Sequence, residues 1–138
     1  MRVLAHADEA ELAEGLAAAG LATELPELRP TETGLTMVRG RIGGDGRAFN
    51  LGEMTVTRAA VQGPSDITGV AYQKGRCPRR ARLAAVADAS WQNDATRSSI
   101  ETSVLAPIEK RLEAAHRKAA EEAAATKVDF FTMVRGED

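Results

Sequence analysis

Thiol and imidazole groups are nearly missing from this chain: Cys77, His6 and His116 are its only cysteine and histidines in 138 residues. One cysteine cannot close an intrachain disulfide, so the chain suits a reducing compartment and the cytoplasm is the expected location. Two histidines and one cysteine cannot complete a tetrahedral zinc site of His and Cys, and no metal is expected. Aromatic residues amount to 4%. Tyr72 is the only one between Phe49 and Trp91, which leaves no platform for stacking bases. Long apolar runs are also lacking. No window approaches the roughly 20 apolar residues of a membrane-spanning helix, and the N-terminal residues lack the apolar core of a signal peptide. Neither a membrane nor a nucleic-acid partner is expected.

What is present is unevenly distributed. The net charge is -2, but residues 1–32 carry two basic and seven acidic groups, residues 33–82 nine and three, and residues 83–138 seven and ten. Only the middle of the chain suits an anionic partner, whether phosphate, nucleotide or an acidic protein face.

The pattern predicts an α+β fold in one domain spanning residues 1–138: helical over 1–20, antiparallel sheet over 23–75, helical over 77–126, then an aromatic tail. Leu12 and Leu16 stand four apart in an alanine-rich stretch with an acidic first turn, which predicts an N-terminal helix that stops at Gly20. Pro26 and Pro30 make the next segment extended or an edge strand. From residue 35 to 74, short Val- and Thr-rich runs separated by glycine clusters predict a meander of four or five strands: 35–42, 49–51, 53–61 and 67–74, with residues 23–29 as the fifth candidate. Pro78 opens a helix through Trp91, and Asn93-Asp94 breaks or caps it. Ile100, Val104, Ile108 and Leu112 recur every four residues in the last helical stretch, and Pro107 predicts a division into two helices.

Groups able to do chemistry do not converge in the sequence. His6 and His116 lie at opposite ends without a partner motif. Cys77 stands among Arg76, Arg79 and Arg80 at a helix start, which favours a thiolate, but no histidine nearby in sequence serves as base. No catalytic residue is nominated. Gly43-Gly44-Asp45-Gly46 lacks the Lys and Ser or Thr of a phosphate-binding P-loop and predicts a hairpin turn, with phosphate contact by the N–H groups of Gly43, Gly44 and Gly46 as a secondary role. Arg39 and Arg41 project from one strand face and Arg58 from the next long strand. Each either pairs with a carboxylate such as Glu53 or offers its fork to phosphate or to a partner's carboxylate.

Three blocks resemble the G subunit family of the bacterial carbon-phosphorus lyase core complex. They are Thr33-Gly34-Leu35 running into Gly43-Gly44-Asp45-Gly46 and Phe49; Thr57-Arg58-Ala59-Ala60-Val61; and the terminal Val128-Asp129-Phe130-Phe131-Thr132-Met133-Val134-Arg135-Gly136. Members of that family usually run on upstream of the block matched here by Val3-Leu4-Ala5, with a further helical stretch. The resemblance implies a subunit without a complete active site of its own, assembled with the other core subunits, chiefly the I-type subunit. That complex transfers a phosphonate to the ribose C1 of ATP and releases adenine, so ATP is a substrate of the complex and this chain alone binds no cofactor. It also implies a docking tail over residues 128–138, with Phe130, Phe131, Met133 and Val134 in an apolar groove and Arg135 at its rim. A free-standing nucleotide- or nucleic-acid-binding regulatory domain is the alternative, and a free-standing enzyme using Cys77 or the arginines is a third.

Overall fold

The computed structural model describes residues 1–126. After a 3-10 turn at Leu4–His6, the order is α1 (Glu9–Ala18), β1 (Glu27–Arg41), β2 (Ala48–Gln62), β3 (Thr68–Lys74), α2 (Pro78–Gln92), α3 (Asp94–Ile100) and α4 (Ala106–Ala125). This is an α+β fold with an antiparallel sheet in the order β1-β2-β3.

Local signals set the ends of the helices. The Glu11 carboxylate accepts the Asp8 N–H at 2.9 Å at the start of α1, which satisfies a donor that the helix itself leaves free. At its end Gly20 adopts φ 67° and the Leu21 N–H closes on the Leu16 carbonyl at 3.0 Å, a Schellman stop that needs a residue without Cβ strain. Asn93 caps α3 by accepting the Ala95 N–H at 3.0 Å.

Among the described residues three strands form where four or five were expected, because the expected short strands run together. The end of the 23–29 candidate and most of the 35–42 candidate share β1, which starts at Glu27, ends at Arg41 and passes through Pro30. Proline is tolerated there because β1 is an edge strand, and the register slips just before it, between Glu27 and Arg29, and across it, between Arg29 and Glu32. Residues 49–51 and 53–61 share β2. Val38 faces Gly52 and Arg39 faces Asn50, so Leu51 is an extra residue, a bulge that bends the strand without ending it.

Pro107 does not divide the last helical stretch. Residues 94–125 follow a continuous helical path with a π turn at Glu101–Leu105, in which the Ala106 N–H bonds to the Glu101 carbonyl. Proline has no N–H to give the Ser103 carbonyl four residues earlier. The wider turn accommodates the loss, and it lies against α1: a Cβ added at Gly15 would sit 2.8 Å from the Ser103 carbonyl oxygen.

The core lies between one sheet face and the helices. Leu12 and Leu16 of α1, Ile100, Val104 and Ile108 of the last helical stretch, and Val61 of β2 are fully buried. Ala81, Ala85 and Ala89 recur every four residues along α2 and are buried, and Ala85 and Ala89 lie against Gly69 of β3, so the helix approaches that strand closely. Thr57 is buried at this level, and its Oγ1 donates to the Gly75 carbonyl at 2.7 Å and accepts the Cys77 N–H at 3.1 Å, which ties β2 to the start of α2. Gln73 Nε2 donates to the Leu4 carbonyl at 2.8 Å and holds the N-terminal turn on β3, while its buried Oε1 has no partner among the described residues.

Candidate functional site

Strand lengths decide where the molecule is bare. β1 and β2 have 15 residues each and β3 has seven, and β3 reaches along β2 only as far as the Val56–Lys74 pair. Beyond it the sheet is a two-stranded ribbon, residues 35–55, that extends roughly 25 Å at the usual rise per residue. Residues 57, 59 and 61 of β2 are buried while residues 48–53 are exposed, so the helices cover the base of the hairpin and leave the arm uncovered.

The arm is apolar where it is bare. Leu35, Leu51 and Ile42 are 65%, 61% and 74% exposed, and Met37 and Phe49 are exposed as well. Alternation puts Leu35 and Met37 on the face that continues the helix-covered side, with Thr33 and Thr57, whose hydroxyls lie 3.1 Å apart. Leu51 lies on the opposite face and leans over Gly40, where a Cβ would meet its Cδ1 at 2.5 Å. A lone two-stranded ribbon is marginally stable in water, and exposed apolar side chains on both faces mark a contact surface.

The tip is closed by its glycines. Gly43 and Gly44 have φ of 65° and 90°. The Gly46 N–H donates to the Ile42 carbonyl at 3.0 Å, and Arg41 Nη1 donates to the Gly46 carbonyl at 3.0 Å. Arg39, Arg41, Gly43, Gly44 and Gly46 are therefore together at one end, with Arg47 beside them. Gly46 has both main-chain groups engaged in the turn. Arg58 is far from this group, eight residues along β2 from the Asn50 that faces Arg39, about 27 Å at strand rise. Its guanidinium pairs with Glu32 at 2.7 Å rather than with Glu53, and that carboxylate, with Tyr72 nearby, holds the Arg58 pKa above its ordinary value.

The remaining reactive groups stay apart. Cys77 caps the start of α2, where Arg80 Nη2 donates to its Sγ at 3.2 Å. His6 Nδ1 lies 3.0 Å from the Arg2 carbonyl oxygen, and His116 is exposed on α4. A cleft of about 360 Å³ opens between α1, α2 and the chain entering β1, floored by Leu25, Val61, Leu83 and Val86. Both of its arginines are matched by carboxylates, Arg79 with Glu9 at 2.6 Å and Arg82 with Glu27 at 3.6 Å, so neither is a free cation. Among the described residues no three His, Cys, Asp or Glu side chains converge as metal ligands, and no helix is long and apolar enough to cross a membrane.

Phe130, Phe131, Met133, Val134 and Arg135 lie outside the described residues. Sequence reasoning missed the apolar arm itself. Its only sequence signal is that Leu35 and Met37 occupy one face while Val38, Phe49 and Leu51 occupy the other, more apolar surface than a sheet with one covered face uses.

The whole chain matches a family known by its relatives. The model of the family described as phosphonate metabolism protein PhnG matches residues 1–136. The chain belongs to the PhnG family. It is 49% identical over 138 residues to the alpha-D-ribose 1-methylphosphonate 5-triphosphate synthase subunit PhnG of Rhizobium meliloti (strain 1021), covering 100% of this chain and 88% of that relative. The relative is named as a subunit of a synthase.

Proposed function

We propose that this chain is a non-catalytic or site-completing subunit of a ribose 1-methylphosphonate 5-triphosphate synthase in the carbon-phosphorus lyase core complex, acting in the cytoplasm. The observation that carries the proposal is the two-stranded arm, whose Leu35, Met37, Phe49 and Leu51 are exposed on a hairpin with no covering layer among the described residues. Its chief partner is the I-type subunit, with the other core subunits around it. The complex transfers a phosphonate to the ribose C1 of ATP and releases adenine. This chain supplies contact surface rather than the reacting groups, and it holds no cofactor alone. At the tip, Arg39 and Arg41 with the N–H groups of Gly43 and Gly44 face an anionic group, either triphosphate or partner carboxylates. In the tail, Phe130, Phe131, Met133 and Val134 fill an apolar groove of the partner and Arg135 pairs at its rim.

The test is reconstitution. The chain is co-expressed with the other core subunits from the same source, and co-elution and adenine release from ATP plus methylphosphonate are measured. The expected result is a stable complex that releases adenine, no release by this chain alone, and loss of co-elution when residues 128–138 are deleted. Adenine release by the isolated chain, or an intact chain that elutes apart from the complete partner set, overturns the proposal.

A further inference from the structure

Hydrogen-bond parity shows which main-chain groups of the sheet face outward. The Thr55 carbonyl accepts the Gly75 N–H at 2.9 Å, so odd-numbered residues in this part of β2 face β3 and even-numbered ones face β1. The Gln62 N–H, donating to the Pro26 carbonyl at 2.8 Å, obeys the same rule. Val56 lies opposite Gly34 and Met54 opposite Thr36. Gly34 and Thr36 are thus engaged by β2, while the N–H and C=O groups of Thr33, Leu35 and Met37 point away from the sheet.

Elsewhere the outer edges are shielded. On β3, Asp88 Oδ2 accepts the Val70 N–H at 3.0 Å, Gln92 Nε2 donates to the Thr68 carbonyl at 2.9 Å, and Arg80 Nη2 donates to the Lys74 carbonyl at 2.8 Å. α2 thereby guards that edge at Thr68, Val70 and Lys74. On the near half of β1, Pro30 has no N–H, Glu27 Oε2 accepts the Thr31 N–H at 2.8 Å, and the register is broken just before Pro30 and across it. Proline, irregular register and inward charge are the devices by which proteins prevent strand addition. They stop at Glu32. Residues 33–38 are uncharged, free of proline, regular in register and partnered on their outer side by no described strand.

We infer that residues 33–37 receive an extended strand from a neighbouring subunit of the synthase, uncharged where it faces these residues, which continues the sheet through the main-chain groups of Thr33, Leu35 and Met37. The inference rests on the subunit role proposed above and adds how contact is made. Two copies of this chain pairing edge to edge would cover the edge but leave both apolar faces of both arms in water. A strand that belongs to a larger body brings the surface that covers those faces as well. Arg39 ends the uncharged window, so the incoming strand carries an acidic residue at that end.

Residue-resolved hydrogen exchange is measured on the chain alone and in the co-expressed complex. The Leu35 and Met37 amides should exchange at least about tenfold more slowly on assembly, whereas Gly34 and Thr36 are already protected by β2. Leu35→Pro and Met37→Pro each remove an outward N–H without touching the β1–β2 ladder and should weaken association by about tenfold or more. Leu35→Val keeps the N–H and an apolar side chain and should stay within about threefold. Circular dichroism and the unfolding midpoint of each free variant show whether it is folded, and the exchange data stand without any variant. Unchanged Leu35 and Met37 amides in a complex that does form overturn strand addition and leave the subunit role intact. Slow amides in the isolated monomer, or in a dimer of this chain, also overturn it, because the chain itself then fills the edge. Failure of the wild-type chain to join any complex overturns the subunit role and this inference together.

Discussion

Gly69 and Gly34 occupy strands of the same three-stranded sheet, yet a methyl group would mean opposite things at the two positions. At Gly69 a Cβ would stand 2.1 Å from the Ala85 carbonyl oxygen and 2.7 Å from the Ala89 Cβ, whereas at Gly34 it would meet nothing within 4 Å. The base of the sheet is built by close approach of backbone to backbone, with the alanine face of α2 seated on β3. The arm carries Leu35, Met37, Phe49 and Leu51 exposed, with no layer on either face among the described residues. Apolar strand residues thus serve as core where a helix covers them and as contact surface where none does.

The largest expected difference between the two regions lies in their leucines. Leu12→Ala, in the packed base, should lower the unfolding free energy measured in urea by about 2–5 kcal/mol, while Leu51→Ala on the arm should change it by less than about 0.5 kcal/mol. Equal effects would show that the arm is packed in the free protein and would erase the contrast. The glycine pair sharpens it: Gly69→Ala should cost about 1–3 kcal/mol through overpacking against an unyielding carbonyl, whereas Gly34→Ala should be neutral or stabilising by up to about 1 kcal/mol. Thr57→Val probes the junction between the regions. It strands the Cys77 N–H and the Gly75 carbonyl, and thermal unfolding should report a loss of about 1–3 kcal/mol.

The smallest effect is electrostatic. Arg111 Nε and Nη2 reach the Glu11 oxygens at 2.5 and 2.9 Å, and Nη2 also reaches the His6 carbonyl at 2.8 Å, which fastens α4 to α1. That guanidinium holds the Glu11 carboxyl below its usual value, against the opposing effect of burial, and Glu11 in turn raises Arg111. Since the folded-state value of Glu11 is depressed, the pair contributes fully above the ordinary carboxylate range. The contribution is lost as pH falls through that range to the folded value, because the unfolded chain takes up the proton first. Arg111→Met should therefore cost about 1 kcal/mol or less at pH 7, both side chains being partly exposed, and the gap to wild type should close in acid. A gap that persists unchanged in acid would assign the loss to packing of the arginine stem instead.

The parts of the fold legible in the sequence were those set by local chemistry. Gly20 ends α1 because a left-handed stop tolerates no strained Cβ, Asn93 caps α3 because its side chain reaches a free N–H, and Gly43 and Gly44 turn the hairpin because positive φ comes at no steric cost there. The blocks that resemble the G subunit family were also legible, and the family match over residues 1–136 agrees with them. Strand ends were not legible. Pro30 reads as a break but is carried along an edge, Leu51 is absorbed as a bulge, and Pro107 is accommodated by a π turn that lies against Gly15 of α1.

The candidate site divides along the same line. Alternation in the sequence determines that Leu35 and Met37 share a face and that Arg39 and Arg41 share another stretch of it, since successive side chains of a strand point to opposite sides. Whether a face is core or contact surface depends on what lies above it, and whether an edge is open depends on which side chains cross it. Asp88, Gln92 and Arg80 close the edge of β3 from another element, and nothing in the sequence near residues 33–38 records that their own edge lacks such guards. The sequence by itself determined the fold class, the turns and the family. Only the tertiary structure decided that β3 and α2 stop at the base of the hairpin, because burial depends on the relative lengths and placement of distant elements rather than on any local run of residues.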